Sequence, residues 1–468
     1  MGVYELGFSR TEREIQVDEL PVRGALPEWL SGTLIRNGPG TFQVGEERYR
    51  HWFDGHSMLH KFTFRNGKVS YANRFLETRA HKEAMEAGRI IYTEFATDPC
   101  WSLFGKARAV FSPQITDDAK VNVARIEDKF MALAETPVQV IFDPQTLKTL
   151  GVFNYEERLT GQMTTVHPHF DLKNGIVYNN VVRYNAISHY NIYQYARGKI
   201  ERVASLPVRQ PAYLHSFGMS PNYIFLTEFP LVVNPISLLL WLKPYIENFK
   251  WKPGRGTPIY VVNRFTGELV GKYQSDPFFA FHHVNAFETE DEIIFDIVAY
   301  EDASILKAYY LERLKDENLK LPFGKLRRYH LPLKGNRANY EVVSDACMEL
   351  PVFDYTNYIG KDDYRYVYAV GINPEQRQGF YNQIVKVDIE TGKDTFWFEE
   401  DSYPGEPIFV SRPGREGEDD GVLLSVVLDA EQGTSFLVVL DAQDLTEIAR
   451  AEIPHAVLFG YHGAYFDI

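Results

Sequence analysis

Short runs rich in Val, Ile, Tyr and Phe recur along the whole chain, each closed by Asp, Asn, Gly or Pro. The runs at 138–142, 176–182, 223–227, 364–370 and 422–427 are typical. β-Branched and aromatic residues suit a pleated surface, and turn formers at both ends bound each run, so these segments predict strands. Helical periodicity is scarce, and 303–316 carries the best instance. One local pattern returns four times: VIFDPQTLKTLG (140–151), YVVNRFTGELVG (260–271), IVKVDIETGKDT (384–395) and LVVLDAQDLTEI (437–448). Each is an apolar strand, then Asp143, Asn263, Asp388 or Asp441, then a short turn containing Thr, then a second strand. The Asp or Asn side chain bonds backbone further on and starts the turn.

Hairpin repeats without a Gly-rich phosphate loop point to an all-β fold, a seven-bladed β-propeller. A blade takes about 40–45 residues, so seven use about 300 and leave long loops to build a helical or loop cap. Two packed sandwiches are the competing reading. The propeller is preferred because the histidines below need one site fed from the whole chain, which makes 1–468 a single domain with cap insertions.

The composition narrows the partners. With 49 Lys plus Arg against 63 Asp plus Glu, the net charge is −14, so no global attraction to phosphate backbones exists and nucleic acid is not expected. Two cysteines, Cys100 and Cys347, make no disulfide framework and suit a reducing compartment. The N-terminal residues lack an apolar core of the signal-peptide kind, so none is expected. The most apolar stretch, LVVNPISLLLWL at 231–242, is too short to span a bilayer and contains Pro235. With Phe249, Trp251 and several Lys behind it, it suits either a membrane interface or a buried connector between strands.

Of thirteen histidines, four stand in contexts that read as strand ends or turns: His167 (TTVHPHFD), His215 (YLHSFGM), His282 (FHHVNAFE) and His462 (GYHGAYF). They lie 48, 67 and 180 residues apart in turn. These are not the spacings of zinc knuckles or of a helix carrying two metal-binding histidines. They are intervals of one to several propeller blades, and an inward histidine from each of four blades would meet on the axis.

The longer words around them are informative. GTLIRNGPG (32–40), HWFDGHSMLHKF (51–62), VHPHFD, HSFGMSPNYIFLTE, FHHVNAFE, GEPIFVSRPGREGEDDGVLLSVV (405–427) and YHGAYF resemble the carotenoid cleavage oxygenase family, in order, over almost the whole chain. DSYPGEPIFVSRP is similar to the branch that holds animal β-carotene oxygenases and the retinal pigment epithelium isomerohydrolase. The resemblance implies a seven-bladed propeller and one iron(II) per chain held by His167, His215, His282 and His462. It implies that Glu135, Glu349 and Glu406 support His215, His282 and His462 respectively, with no carboxylate for His167. His169 and His283 are left to packing or hydrogen bonding.

Four neutral imidazoles leave the ion its full charge, and in octahedral geometry two positions stay open. The implied reaction adds both atoms of O2 across a conjugated C=C bond of an apolar polyene, giving aldehyde, retinal-like products. Retinoid ester isomerohydrolysis, stilbene cleavage and a non-catalytic carotenoid carrier are the alternatives. Val121 stands where oxygenases and the isomerohydrolase differ. Ala134 stands where stilbene-cleaving relatives carry Lys, which argues against phenol recognition there. No nucleophile elbow surrounds Ser216. The protein is expected to be cytoplasmic and peripheral to membrane, docking through Leu238, Leu239, Leu240, Trp241 and Phe249 and through Trp101, Leu103, Phe104 and Lys106 beside Cys100. In the related branch the corresponding DPC segment is associated with membrane attachment.

Overall fold

The computed structural model describes residues 3–11, 13–99, 116–153, 161–239, 243–316, 318–377 and 379–468. Seven antiparallel sheets of four to six strands form the seven blades of a β-propeller, with two further two-stranded ribbons. Chain order within a blade runs from axis to rim, as in Asn122–Ile126, Lys129–Leu133, Gln139–Phe142 and Thr149–Phe153 of the second blade. Rim strands are the polar ones: Thr149–Phe153 alternates between half-buried and exposed, and Asn339–Ser344 is exposed over most of its length. Inner and middle strands are buried on both faces and read as continuous apolar runs, as in Gly421–Asp429.

The ring closes at two places. The C-terminal strand Gly463–Phe466 pairs with Gly32–Thr41 and supplies the inner strand of the first blade. The N-terminal strand Val22–Gly24 pairs with Glu447–Ile453 and supplies the rim of the seventh. Gly38 makes the first closure feasible. A Cβ there would lie 2.4 Å from the Gly460 Cα. Without one, Asn37 N–H donates to the His462 carbonyl at 2.9 Å and Tyr461 N–H to the Asn37 carbonyl at 3.1 Å.

All four repeated words form hairpins with one turn design. Asp143, Asn263, Asp388 and Asp441 each accept backbone N–H groups two or three residues on. The fourth residue after each, Leu147, Gly267, Gly392 or Leu445, is left-handed with φ between 58° and 73°. Glycine adopts that conformation at little cost. Leu147 and Leu445 bear the strain because their side chains are buried between blades.

Two expectations change. The segment 303–316 is not one helix but two short ones, Ser304–Ala308 and Leu311–Leu314. Tyr310 between them is extended (ψ 132°), because Leu311 N–H donates to the Arg50 carbonyl and Trp52 N–H to the Tyr309 carbonyl. Pairing with 50–52 overrides the helical period. The stretch 231–242 also divides. Leu231–Val233 is a buried strand paired with Phe249–Trp251, and Pro235–Leu239 is a short helix. Phe249 is buried against Tyr213 and Tyr245, so it belongs to the core and not to a lipid-facing surface. The Leu239 side chain, Leu240, Trp241, Cys100, Trp101, Leu103, Phe104 and Lys106 lie outside the described residues. Among the described residues, no helix is long and apolar enough to cross a membrane.

Candidate metal centre

Each blade delivers one residue to the axis. His462 precedes the inner strand of the first blade, and Glu135 follows Lys129–Leu133 of the second. His167 lies between Met163–Thr164 and His169–Asp171 of the third, and His215 just before Gly218–Met219 of the fourth. His282 sits within Phe279–Glu288, Glu349 within Met348–Val352, and Glu406 between Ser402–Pro404 and Ile408–Ser411.

The four histidines offer nitrogen atoms that all lie within 4.8 Å of one another. His215, His282 and His462 are buried. The His167 ring packs against all three, with centroids 4.5–5.0 Å away. Desolvation of that ring, and then its three imidazole neighbours, holds His167 well below the usual imidazole value. His282 is lowered for the same reasons, burial first. Neutral rings are the form in which imidazole binds a metal.

Carboxylates fix three of the four tautomers. Nδ1–H of His215 donates to Glu135 at 2.7 Å, that of His282 to Glu349 at 2.5 Å, and that of His462 to Glu406 at 2.7 Å. Among the described residues no carboxylate bonds His167. Each carboxylate is itself held. Tyr213 donates to Glu135 at 2.6 Å, Tyr300 and the Leu350 N–H donate to Glu349, and Arg36 and the Gly463 N–H donate to Glu406. Burial pushes the Glu349 carboxyl up to about 7 against the pull of Tyr300.

This arrangement tests whether an ion fits. His282 Nε2 and His462 Nε2 are 3.2 Å apart, and so are His167 Nε2 and His215 Nε2. His282 and His462 already carry their protons on Nδ1, so no proton is left to lie between their Nε2 atoms. Two lone pairs facing each other inside a fold repel, and a shared cation removes the repulsion. Two nitrogens each ~2.1 Å from one ion and at right angles lie about 3.0 Å apart. The donor set therefore fits a transition metal ion.

The neighbours left to packing are structural. His169 contacts the Phe217 carbonyl at 2.8 Å and the Tyr355 hydroxyl at 3.2 Å. His283 bridges Ser216 at 2.8 Å and Thr227 at 3.0 Å. Ser216 donates to the Phe281 carbonyl, which occupies its hydroxyl in holding strands together.

A cavity of about 250 Å³ reaches the cluster, lined by His215, His282, His462, Glu135 and Glu349 and otherwise mainly by apolar groups. Phe53 stacks on the His215 ring at 6.3 Å and meets Phe281 edge-on at 5.5 Å. Val121 and Ala134 face the same space, which extends to Leu238, Lys243 and Asn248. Arg36, Tyr213, Tyr300, Glu94 and Lys120 were not legible as site residues. Arg36 was visible only as part of the GTLIRNGPG word, and a lone Lys in DDAKVNV reads as a solvated turn.

A family model described as retinal pigment epithelial membrane protein matches residues 8–467. The chain belongs to this family, the carotenoid cleavage oxygenases. Human β,β-carotene 15,15′-dioxygenase is 33% identical over 98% of this chain and 94% of its own length. The carotenoid isomerooxygenase of Galleria mellonella is 34% identical over 92% of this chain and 89% of its own length. Among solved structures, a variant of Synechocystis apocarotenoid oxygenase superimposes with a TM-score of 0.90 at 27% identity, covering 100% of this chain and 98% of that one. A cobalt-substituted form of the Synechocystis oxygenase superimposes at 0.88, with the same identity and the same coverage of both chains. The family's propeller is thus the fold seen here.

Proposed function

We propose that this member of the carotenoid cleavage oxygenases is an iron(II)-dependent enzyme that cleaves a conjugated C=C bond of a carotenoid or apocarotenoid with O2. The observation that carries the reading is the convergence of four imidazole nitrogens, three of them on histidines that line an aromatic-walled cavity. Relatives named for carotene cleavage, and a cobalt-substituted apocarotenoid oxygenase of the same fold, support it.

His167, His215, His282 and His462 would hold the iron. When bound, the iron supplies the binding and activation of dioxygen. The chain does the rest by placement. Glu135, Glu349 and Glu406 keep protons on Nδ1, so that three Nε2 lone pairs face inward. Phe53, Phe281 and Tyr309 form a wall that excludes water and holds a polyene by shape. Four electrons and four bonds balance: the C=C bond and the O=O bond are lost, and two C=O bonds form. The cavity's reach to Leu238 and Lys243, either side of 239–242, supports entry of an apolar substrate from a membrane surface against which the protein docks.

Iron-loaded protein should be incubated with carotenoids, apocarotenals and stilbenes and the products weighed. Two carbonyl fragments, each with one atom from labelled O2, are expected from a polyene. Intact, bound polyene with no product under oxygen would make the protein a carrier and sink the proposal. Isomerised retinol from a retinyl ester would do the same in favour of the isomerohydrolase.

A further inference from the structure

The cavity wall that reaches the histidines is mainly apolar, but besides Gln162, Lys243 and Asn248 it carries a polar patch buried in the fold. Lys120, Glu94, Thr93, Thr116 and Asp118 face the same space. Lys120 is 4% exposed and Glu94 5%. Their Nζ and Oε2 atoms are 2.5 Å apart. A buried ammonium in a cavity meant for hydrocarbon is costly, and replacing a buried ion pair by apolar residues is often neutral or stabilising. Fold stability therefore does not account for the pair.

The neighbouring polar groups are fully used. Asp118 accepts from the His56 ring at 2.6 Å and from the Ser57 N–H at 2.9 Å. The far side of that ring meets the Tyr49 hydroxyl at 3.0 Å. Glu94 accepts from the Thr116 hydroxyl at 3.0 Å as well as from Lys120. Lys120 differs: among the described residues its ammonium makes a hydrogen bond to Glu94 alone, leaving two N–H donors. The Thr93 hydroxyl is also buried, with no hydrogen-bond partner among the described residues. Lys120 thus brings unspent donors to a mainly apolar cavity, whereas the Thr93 hydroxyl is closed off from it.

We infer that Lys120, positioned by Glu94, is a specificity-determining subsite for a neutral oxygen on the substrate, the carbonyl or hydroxyl of an oxygenated polyene end group. This rests on the cleavage reading above and names its substrate class: an apocarotenal or hydroxylated carotenoid over a hydrocarbon carotene. Glu94 and Asp118 surround the ammonium with negative charge, so a carboxylate end group is disfavoured. Arrangement, not bond making, is the role. Lys120 precedes Val121, whose carbonyl accepts the His462 N–H at 3.2 Å, so an anchored end group is tied to the same backbone as the histidine cluster.

The test compares kcat/KM for an apocarotenal, the matching hydrocarbon apocarotene and the matching acid. The parent protein should prefer the aldehyde over the hydrocarbon by about tenfold to a hundredfold, the value of a hydrogen bond to a charged group. Lys120→Met should collapse that ratio to about unity, chiefly through KM. Because Lys120→Met leaves Glu94 buried alone, Glu94→Gln/Lys120→Met removes both charges and serves as the folded control, checked by iron content and thermal midpoint. Binding of the aldehyde and hydrocarbon to iron-free protein, read from polyene absorbance, should show the same preference. A parent that treats aldehyde and hydrocarbon alike, or a double variant that keeps the preference, overturns the subsite alone. A parent that cleaves no polyene overturns the cleavage reading. Turnover of phenolic stilbenes ahead of every polyene overturns the end group named here together with the carotenoid reading.

Discussion

Replacing Glu349 by Gln should move metal affinity and fold stability in opposite directions. The carboxylate takes the Nδ1–H of His282 at 2.5 Å on one oxygen and the Tyr300 hydroxyl on the other. The amide keeps the shape and can still accept from Nδ1 but loses the charge. A charge-assisted hydrogen bond is roughly twice as strong as a neutral one, so the loss is about 1–1.5 kcal/mol, or about tenfold in affinity. Loss of such partners typically costs 10–100-fold. The metal-free fold responds the other way. Burial holds the Glu349 carboxyl up at about 7, whereas it ionises near 4.5 in the unfolded chain. The folded state therefore loses stability as pH rises from 4.5 through 7, by up to about 3 kcal/mol for 2.5 units at 1.36 kcal/mol each. Glutamine never ionises and escapes that loss. At pH 8 the metal-free variant should melt at or above the parent, while its iron should pass to a chelator at about a tenth of the concentration or less. Iron held as tightly as in the parent, or a less stable metal-free variant at pH 8, would refute the reasoning.

Other consequences can be measured directly. His282→Ala should abolish iron binding and activity. His283→Ala should keep iron but cost about 2–3 kcal/mol in denaturant unfolding, since Ser216 and Thr227 lose their partner; the reverse pattern would show that the ligand is His283. Gly38→Ala drives a Cβ to 2.4 Å from the Gly460 backbone, so it should cost about 1–3 kcal/mol and weaken iron retention through His462. Burial lowers His51, His60 and His283 to about 3 and His169 to about 4. Unfolded histidines take protons near 6.5, so acid should destabilise metal-free protein from that pH downward. His167 and His282 are held low as well, and Glu94 and Glu349, raised by burial to about 7, offset only part of this proton uptake, so metal-free stability should fall steadily as pH drops below 6.5; stability flat from pH 7 to 4 would contradict this. Replacing Leu239, Leu240 and Trp241 by Ser should abolish co-sedimentation with liposomes while detergent-solubilised substrate is still turned over, and unchanged sedimentation would count against docking there.

Strands and turns were legible because their causes are local. The run at 223–227 coincides with Tyr223–Thr227 because its turn residues stand directly outside it. Asp143 and its three counterparts announce their hairpins because the side chain that starts the turn is itself in the sequence. The segment 303–316 failed because residues 50–52, some 250 positions away, supply the competing backbone partners. Phe249 misled for a related reason: an aromatic beside Lys looks the same at an interface as in a strand that happens to pair with Leu231–Val233. Lys120 and Glu94, 26 residues apart, carry no periodicity at all. Their meaning arises only where the cavity brings them together.

The charge of the centre shows what the seven-fold geometry adds to a set of residue names. Counting names alone, three glutamates around a divalent ion leave one negative charge. Arg36 changes the sum. Its guanidinium is buried against Glu406, 3.4 Å from Oε2, and also donates to the Glu406 carbonyl at 2.8 Å and to the Tyr461 carbonyl at 3.0 Å. With that cation included, the charges of a bound divalent ion and its surroundings cancel. Neutrality matters because an uncompensated buried charge costs several kcal/mol. It also matters that the compensation comes from the first blade, the one closed by both ends of the chain. Arg36 lies on the strand that pairs with Gly463–Phe466, so the residue that balances Glu406 also clamps the backbone that carries His462. Removing Arg36 would thus loosen the backbone of His462 and unbalance Glu406 at once, which is why a residue outside the histidine set belongs to the centre as much as the histidines do.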